Sequence, residues 1–342
     1  MHTMEFPRKV ILGSDNINDV PDVVKRMKFG SKVLIISGSR TYEVAGSKVE
    51  SSLSNSGYEV DNFLLNDKSM EEVDSVVDEF SDFDWMIGVG GGSVIDVAKV
   101  SSYRLDIPFV SFPTTASHDG IASSKASIGS GKSQKTHSPL VVIVDTKIVS
   151  ESPYRFTAAG VGDAVSNLTA VRDLELANRL RGEYKSDYAS SLSRMSAEMI
   201  IKDADFIKEG LEESARKVIK ALISSGVAMS IAGSSRPASG AEHMFSHALD
   251  EIADSSALHG EQCGVGSIIM AYLHGMDWER IQNTLKKVKA PTNAEELGVS
   301  REEIIKALTT AHKIRDRYTI LGESGLTEKA AKHAAKTTKV IK

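Results

Sequence analysis

Three histidines and one aspartate have the types and spacing from which a metal site could be built. His243 and His247 stand four apart in the segment 240–249. On a helix that spacing projects both rings from one face. His259 follows in Leu258-His259-Gly260-Glu261, and Asp163 lies upstream in Gly160-Val161-Gly162-Asp163. Imidazole and carboxylate are ligands that first-row metals, zinc among them, accept readily. Cys263 is the single cysteine. It has no second sulfur for a disulfide or a thiolate cluster, so any metal has to be held by His and carboxylate. Three such ligands leave a coordination position for a substrate oxygen, which favours a catalytic over a structural site. A plainer interpretation stays open: a His pair at this spacing is also a polar helix face, and Asp163 also fits a helix cap. The other histidines read simply, His2 and His312 as surface residues, His137 as the follower of a basic loop and His274 as a helix end.

A second constellation is rich in glycine. Gly88-Val89-Gly90-Gly91-Gly92-Ser93 follows an apolar run and precedes Val94-Ile95-Asp96-Val97-Ala98-Lys99. Glycines let a backbone approach an anion, and the first N–H groups of a helix lack intrahelical partners, so a phosphate suits this turn. A tight strand-to-helix turn that needs glycine only for its dihedrals is the alternative. The spacing is not the dinucleotide fingerprint G-x-G-x-x-G, because Ser93 stands at its last glycine. Further on, Pro113-Thr114-Thr115-Ala116-Ser117-His118-Asp119-Gly120 offers hydroxyls that could reach a phosphate or a carboxamide, although such residues also make ordinary turns.

Elements must bring these segments together. β-Branched runs at 33–36, 58–64, 85–89, 109–112 and 140–144 alternate with amphipathic windows, the pattern of parallel strands joined by crossover helices. Val73, Val76, Val77 and Phe80 recur with helical spacing, and Ser69 with Glu72 forms a capping box at the start. After about residue 150 the strand signal fades, and 190–208 and 215–231 carry helical spacing. The expected architecture is α/β: a Rossmann-like, mostly parallel sheet domain at 1–148, then an all-helical domain at 149–342, with the site in the cleft between them. Strand carboxyl ends face such a crevice, so both loops should open onto it. The segment 123–135 reads as an irregular loop or hairpin.

At 342 residues the chain exceeds what one core usually supports. A formal charge of −5 provides no basic footprint for nucleic acid. No apolar run has membrane-spanning length, and the amino terminus has no secretory pattern, so a soluble, cytoplasmic protein with no membrane insertion is expected.

The motifs resemble one superfamily, that of the iron-containing alcohol dehydrogenases, glycerol dehydrogenases and dehydroquinate synthases. Residues 90–99 match its nucleotide loop, Pro113-Thr114-Thr115-Ala116-Ser117 its second loop and His259-Gly260-Glu261 its late metal ligand. Within it, the stretches 117–123, 153–163 and 234–250 resemble the archaeal glycerol-1-phosphate dehydrogenase family. The resemblance covers nearly the whole chain. It implies one Zn2+ per subunit held by Asp163, His243 and His259, with Asp119, Asp163 and His247 at the substrate. It also implies an NAD(P) site lined by Gly90, Gly91, Gly92, Ser93, Val94, Thr114, Thr115, Ala116, Ser117 and Ser123. The implied reaction is reversible reduction of dihydroxyacetone phosphate to sn-glycerol 1-phosphate, which supplies the backbone of archaeal membrane phospholipids. A homo-oligomer is expected, and an unphosphorylated-polyol enzyme such as glycerol dehydrogenase is the nearest alternative.

Two further expectations follow. Ser37-Gly38-Ser39-Arg40-Thr41 has no acid where strictly NAD-dependent relatives tend to carry one, so both NAD(H) and NADP(H) should be accepted. In catalysis, His247 or a metal-bound water should move the proton, because an imidazole titrates near working pH, and Asp119 should orient the substrate hydroxyl. For the substrate phosphate, Lys125, Lys132, Lys135 and His137 are the candidate anchors.

Overall fold

A computed structural model describes residues 4–128, 133–254 and 256–342. Six strands, β1 (Lys9–Gly13), β2 (Lys32–Gly38), β3 (Glu59–Leu65), β4 (Trp85–Gly90), β5 (Phe109–Pro113) and β8 (Val141–Asp145), form one sheet in the order β1-β8-β5-β4-β2-β3. Every pairing in it is parallel. Sheets of this kind are covered on both faces, so their strands are apolar throughout and period two divides the side chains between two cores. Val33, Ile35, Trp85 and Ile87 join one apolar cluster, whereas Leu34, Ile36 and Met86 join the other. Strand β1 is a correction, since only the other five were expected. It lies at an edge, beside β8, and its short run is only half-buried. The hairpin reading of 123–135 is met by β6 (Lys125–Ser127) and β7 (Ser133–Lys135), which pair antiparallel.

The chain runs outward from β2 to β3 and then returns to the other side of β2 with β4. That reversal opens a crevice at the strand carboxyl ends. Because Gly90 of β4 is in register with Pro113 of β5, the two loops that follow leave the sheet side by side.

Among the described residues after Asp145 there are no further sheet strands. Long helices span Tyr154–Arg181, Asp187–Asp203, Glu212–Ala232, Ala241–Ile252 and His259–Leu273. The expected 190–208 helix is shorter at its end, stopping at Asp203 with a 3-10 turn at Ala204–Phe206. The early helix, Met70–Glu79, begins as expected, with Ser69 Oγ accepting from the Glu72 N–H at 3.2 Å. Glu72 does not complete the box, however. Its carboxylate accepts from Asn66 Nδ2 at 3.0 Å instead. No helix among the described residues is long and apolar enough to cross a membrane.

Candidate active site

Helix Tyr154–Arg181 packs against helix His259–Leu273 at unusually short range, and glycine makes this possible. A Cβ on Gly162 would lie 2.2 Å from the Gly260 carbonyl oxygen, and one on Gly260 would lie 2.1 Å from that of Ala159. Residues next to these glycines, Asp163 and His259, are thereby brought together. Asp163 lies well inside its helix, so the capping interpretation does not hold. His259 opens its own helix, and His243 enters from the Ala241–Ile252 helix.

The donor atoms of Asp163, His243, His259 and Cys263 all lie within 4.8 Å of one another. His243 Nε2 is 3.6 Å from Asp163 Oδ1, and the His243 and His259 ring centroids are 5.0 Å apart. Neighbouring bonds fix which nitrogen of each ring faces the cluster. Glu242, a carboxylate acceptor, lies 3.0 Å from His243 Nδ1, so that nitrogen donates and Nε2 is the position left for a metal. For His259, Gln262 donates to Asp250 at 2.8 Å, Ser246 Oγ donates to Gln262 Oε1 at 2.5 Å, and Ser246 Oγ accepts from His259 Nδ1 at 2.9 Å. Both rings thus present Nε2 to the same point. Two imidazoles, a carboxylate and a thiol with supporting bonds fit a divalent ion.

Cys263 corrects the expectation that only His and carboxylate could serve. It lies one turn after His259, with Sγ 3.5 Å from His259 Nε2. Its spacing of four from His259 was the available signal, and it was set aside because a single cysteine suggests no cluster. Burial pushes its thiol up to about 11.

The charges describe a site built for a cation. Burial opposes protonation of His243, yet Cys263, Asp163 and Glu242 outweigh it and hold the imidazole well above its ordinary value. A proton on His243 therefore serves where a metal would. Burial pushes Asp119 up to about 7, and the Asp163 charge adds to this against a hydrogen bond from Ser225. Asp119 Oδ2 accepts from Ser225 Oγ at 2.7 Å, and its N–H donates to Asp163 Oδ2 at 2.8 Å. His247 stacks on His259 with centroids 5.5 Å apart, and its Nε2 accepts from Arg315 at 2.9 Å. Burial, then the charges of His259 and Arg315, push it down to about 2. The expectation that His247 titrates near working pH is thus overturned.

The cluster opens into a cavity of about 530 Å³ that also reaches the glycine turn. Of the expected cofactor residues, Gly92, Ser93, Ser117 and Ser123 line it, as do Asp119, His243, His247 and His259. Gly90, Gly91, Val94, Thr114, Thr115 and Ala116 are not among the lining residues. None of the turn glycines has a left-handed φ. Close approach is what requires them, for a Cβ on Gly90 would meet the Val94 side chain at 2.6 Å and one on Gly92 would meet His118 Nε2 at 2.5 Å.

Several residues went unnoticed in the sequence. Lys99 is buried beneath the turn, and its ammonium donates to the Lys125 carbonyl at 2.8 Å and to the Gly120 carbonyl. Burial lowers it to about 8. Asp96 is held by Lys68 at 2.7 Å. Arg155 clamps Glu261 through two bonds of 2.6 Å, joining the same two helices that the glycines bring together. Among the expected phosphate anchors whose side chains are described, Lys125 lines the cavity. His137 sits elsewhere, against Glu5 and Asp106. Lys132 and His2 lie outside the described residues, and the side chain of Lys135 is likewise not described. His274 is no plain helix end, since its Nε2 lies 3.0 Å from buried Asp173. Nor is His312 a plain surface residue, being half-buried against Gly325.

Comparison with known proteins fits this geometry. Residues 11–153 match the family model of the iron-containing alcohol dehydrogenases. The crystal structure of glycerol dehydrogenase from Schizosaccharomyces pombe superposes with a TM-score of 0.80 at 22% identity, covering 99% of this chain and 90% of that one. The fold is therefore that of the iron-containing alcohol dehydrogenase class, a parallel-sheet half followed by a helical half. Full-length similarity is more specific. The chain is 60% identical to the glycerol-1-phosphate dehydrogenase (NAD(P)+) of Thermococcus sibiricus, covering 100% of this chain and 99% of that protein. It is 57% identical to the enzyme of the same name from Pyrococcus furiosus, with 100% of both chains covered. The chain belongs to the glycerol-1-phosphate dehydrogenase (NAD(P)+) family, a family of oxidoreductases.

Proposed function

We propose that this chain reduces dihydroxyacetone phosphate reversibly to sn-glycerol 1-phosphate, with NADH or NADPH, at a Zn2+ held by Asp163, His243 and His259. The observation that carries the proposal is the convergence of two oriented imidazoles on the buried carboxylate of Asp163, with both imidazoles lining the cavity that also reaches the glycine turn. When bound, Zn2+ supplies a Lewis acid for the C2 oxygen and the nicotinamide supplies a hydride. The remaining work belongs to the chain. Gly92, Ser93, Ser117 and Ser123 face the cofactor, and Gly90, Gly91, Val94, Thr114, Thr115 and Ala116 hold the backbone that lets it approach.

Asp119 and His247 are the catalytic pair in this reading, with different duties. Asp119, held by Ser225 Oγ and lining the cavity, is the carboxyl placed to orient the substrate hydroxyl. His247 stays neutral and fixes the substrate side of the cavity through its stacked ring. The same reading assigns 1–148 to nucleotide binding and 149–342 to metal and substrate, with apolar residues such as Val142 and Val161 in a shared core. It also takes the protein to be a cytoplasmic homo-oligomer supplying the glycerophosphate backbone of archaeal membrane lipids.

The decisive experiment incubates Zn-loaded protein with dihydroxyacetone phosphate and NADH and resolves the product by chirality. Formation of sn-glycerol 1-phosphate is expected. Exclusive turnover of unphosphorylated glycerol, or formation of the sn-3 isomer, refutes the proposal.

A further inference from the structure

A phosphomonoester needs a cationic anchor, and the cations near the glycine turn are engaged locally. Lys68 pairs with Asp96, and Lys99 donates to two carbonyls beneath the turn. Another part of the cavity wall differs. There the segment 315–317 packs against 235–239 and brings three guanidinium groups together. Arg236 is paired with Glu183, with its Nη2 2.9 Å from Oε2. Arg317 donates to neutral acceptors, the Ser239 carbonyl at 2.7 Å and Ser235 Oγ at 3.1 Å. Arg315 reaches furthest inward, lining the cavity together with Ser235 and Ser239.

The position of Arg315 relative to the metal ligands is what matters. Its Nη2 is 2.9 Å from His247 Nε2, and His247 stacks on the ligand candidate His259 at 5.5 Å. One imidazole therefore separates the guanidinium from the metal cluster. In dihydroxyacetone phosphate only C3 and its ester oxygen separate C2 from phosphorus, so a phosphate must lie about one side-chain width from the metal-bound carbonyl. The planar fork of arginine matches two phosphate oxygens. Burial, then the charges of Arg315 and Arg236, lower Arg317 to about 9. Asp250 and Glu251 also line the cavity, but Asp250 Oδ1 is engaged by Gln262.

Resting on the proposed reaction, we infer that Arg315 is the phosphate anchor of the substrate subsite, with Ser235 and Ser239 beside it. The subsite takes a phosphomonoester dianion, and it turns a polyol-dehydrogenase cavity into one for a phosphorylated ketone.

The test is Arg315→Gln in the Zn-loaded enzyme. Gln keeps a polar amide but removes the charge and the fork. The Michaelis constant for dihydroxyacetone phosphate should rise about 30-fold or more, with that for NADH within about threefold of the parent value. Inorganic phosphate, as an inhibitor competitive with dihydroxyacetone phosphate, should weaken in parallel. A lower kcat with unchanged phosphate inhibition would mean that Arg315 acts only through His247, and would overturn the assignment. Unchanged constants would overturn it equally. Arg315→Lys keeps the charge without the fork and should recover part of the loss; if it is as impaired as Arg315→Gln, the charge is not what binds. A parent enzyme that does not use dihydroxyacetone phosphate at all would instead sink the proposed reaction.

Discussion

Replacing Gly162 with Ala tests whether the helix contact sets the metal geometry. The added methyl would sit 2.2 Å from the Gly260 carbonyl oxygen, whereas ordinary contact begins at 3.4 Å. The difference, 3.4 − 2.2 = 1.2 Å, must be taken up by moving helix Tyr154–Arg181 away from helix His259–Leu273, because the obstacle is backbone. Asp163 and His259 are adjacent to these two positions and would separate by a comparable amount. Coordination bonds tolerate only about 0.2 Å. Overpacking of this kind costs about 1–3 kcal/mol. If metal binding has to restore the native spacing, Zn2+ affinity should fall by about 5- to 150-fold. The measurement is competition against a chromophoric chelator, with metal content after dialysis and Tm recorded alongside. Gly264→Ala is the control, since its Cβ would be 3.3 Å from the Leu285 methyls and the Gly162 Cα, a shortfall of only 0.1 Å. Zn2+ affinity of Gly162→Ala within about threefold of the parent value would refute the reasoning.

Other expectations follow from the same geometry. His243→Ala should lose bound Zn2+ and turnover together, whereas His247→Ala should keep Zn2+ in elemental analysis and lose turnover; metal loss in the second variant would contradict its placement beside the cluster. Because His243 is protonated without metal, Zn2+ binding near pH 7 should release a proton, seen as a dependence of calorimetric heat on buffer ionisation enthalpy; heats that are equal across buffers would count against it. Ser39→Asp, at the exposed end of β2, should raise the Michaelis constant for NADPH about tenfold or more and spare NADH, and equal effects on both would remove this turn from the adenosine ribose site.

The sheet was legible wherever strands are buried on both faces, because continuous β-branched runs such as 33–36 and 85–89 leave no helical interpretation. β1 escaped notice because an edge strand buries little and its run is short. At the site, ligand types were legible but their assembly was not. The spacing of His243 and His247 placed both on one helix face and did not distinguish the ring that meets Asp163 from the ring that meets Arg315. That distinction depends on helix packing, and the packing depends on glycines at 160, 162 and 260 that lie in unremarkable helical windows. Cys263 and Arg315 were missed for related reasons. The first is a lone thiol, and the second lies more than fifty residues from the histidines it joins, in an irregular segment.

Ionisation links the metal to stability. His118, His247 and His259 all titrate below their ordinary value, principally because of burial, with His247 at about 2 and His259 at about 3. The unfolded chain binds protons at these residues below about pH 6.5 and the folded chain binds fewer, so folding stability falls as pH drops through that range. His243 and Asp119 act in the opposite sense, being raised in the folded protein without metal. Their contribution is complete below their unfolded values and is lost as pH rises through their folded ones. Above about pH 6.5 the three neutral histidines no longer matter, and His243 and Asp119 set the slope. The metal-free protein should therefore lose Tm as pH increases from 6.5 to beyond 7. In the loaded protein Zn2+ takes the place of the His243 proton and offsets the Asp163 charge, which adds to the effect of burial on Asp119. Its Tm should fall less over the same interval, so the gap between loaded and metal-free protein widens with pH. Parallel Tm curves for the two forms would mean that the proton on His243 and the metal do not compete for one place.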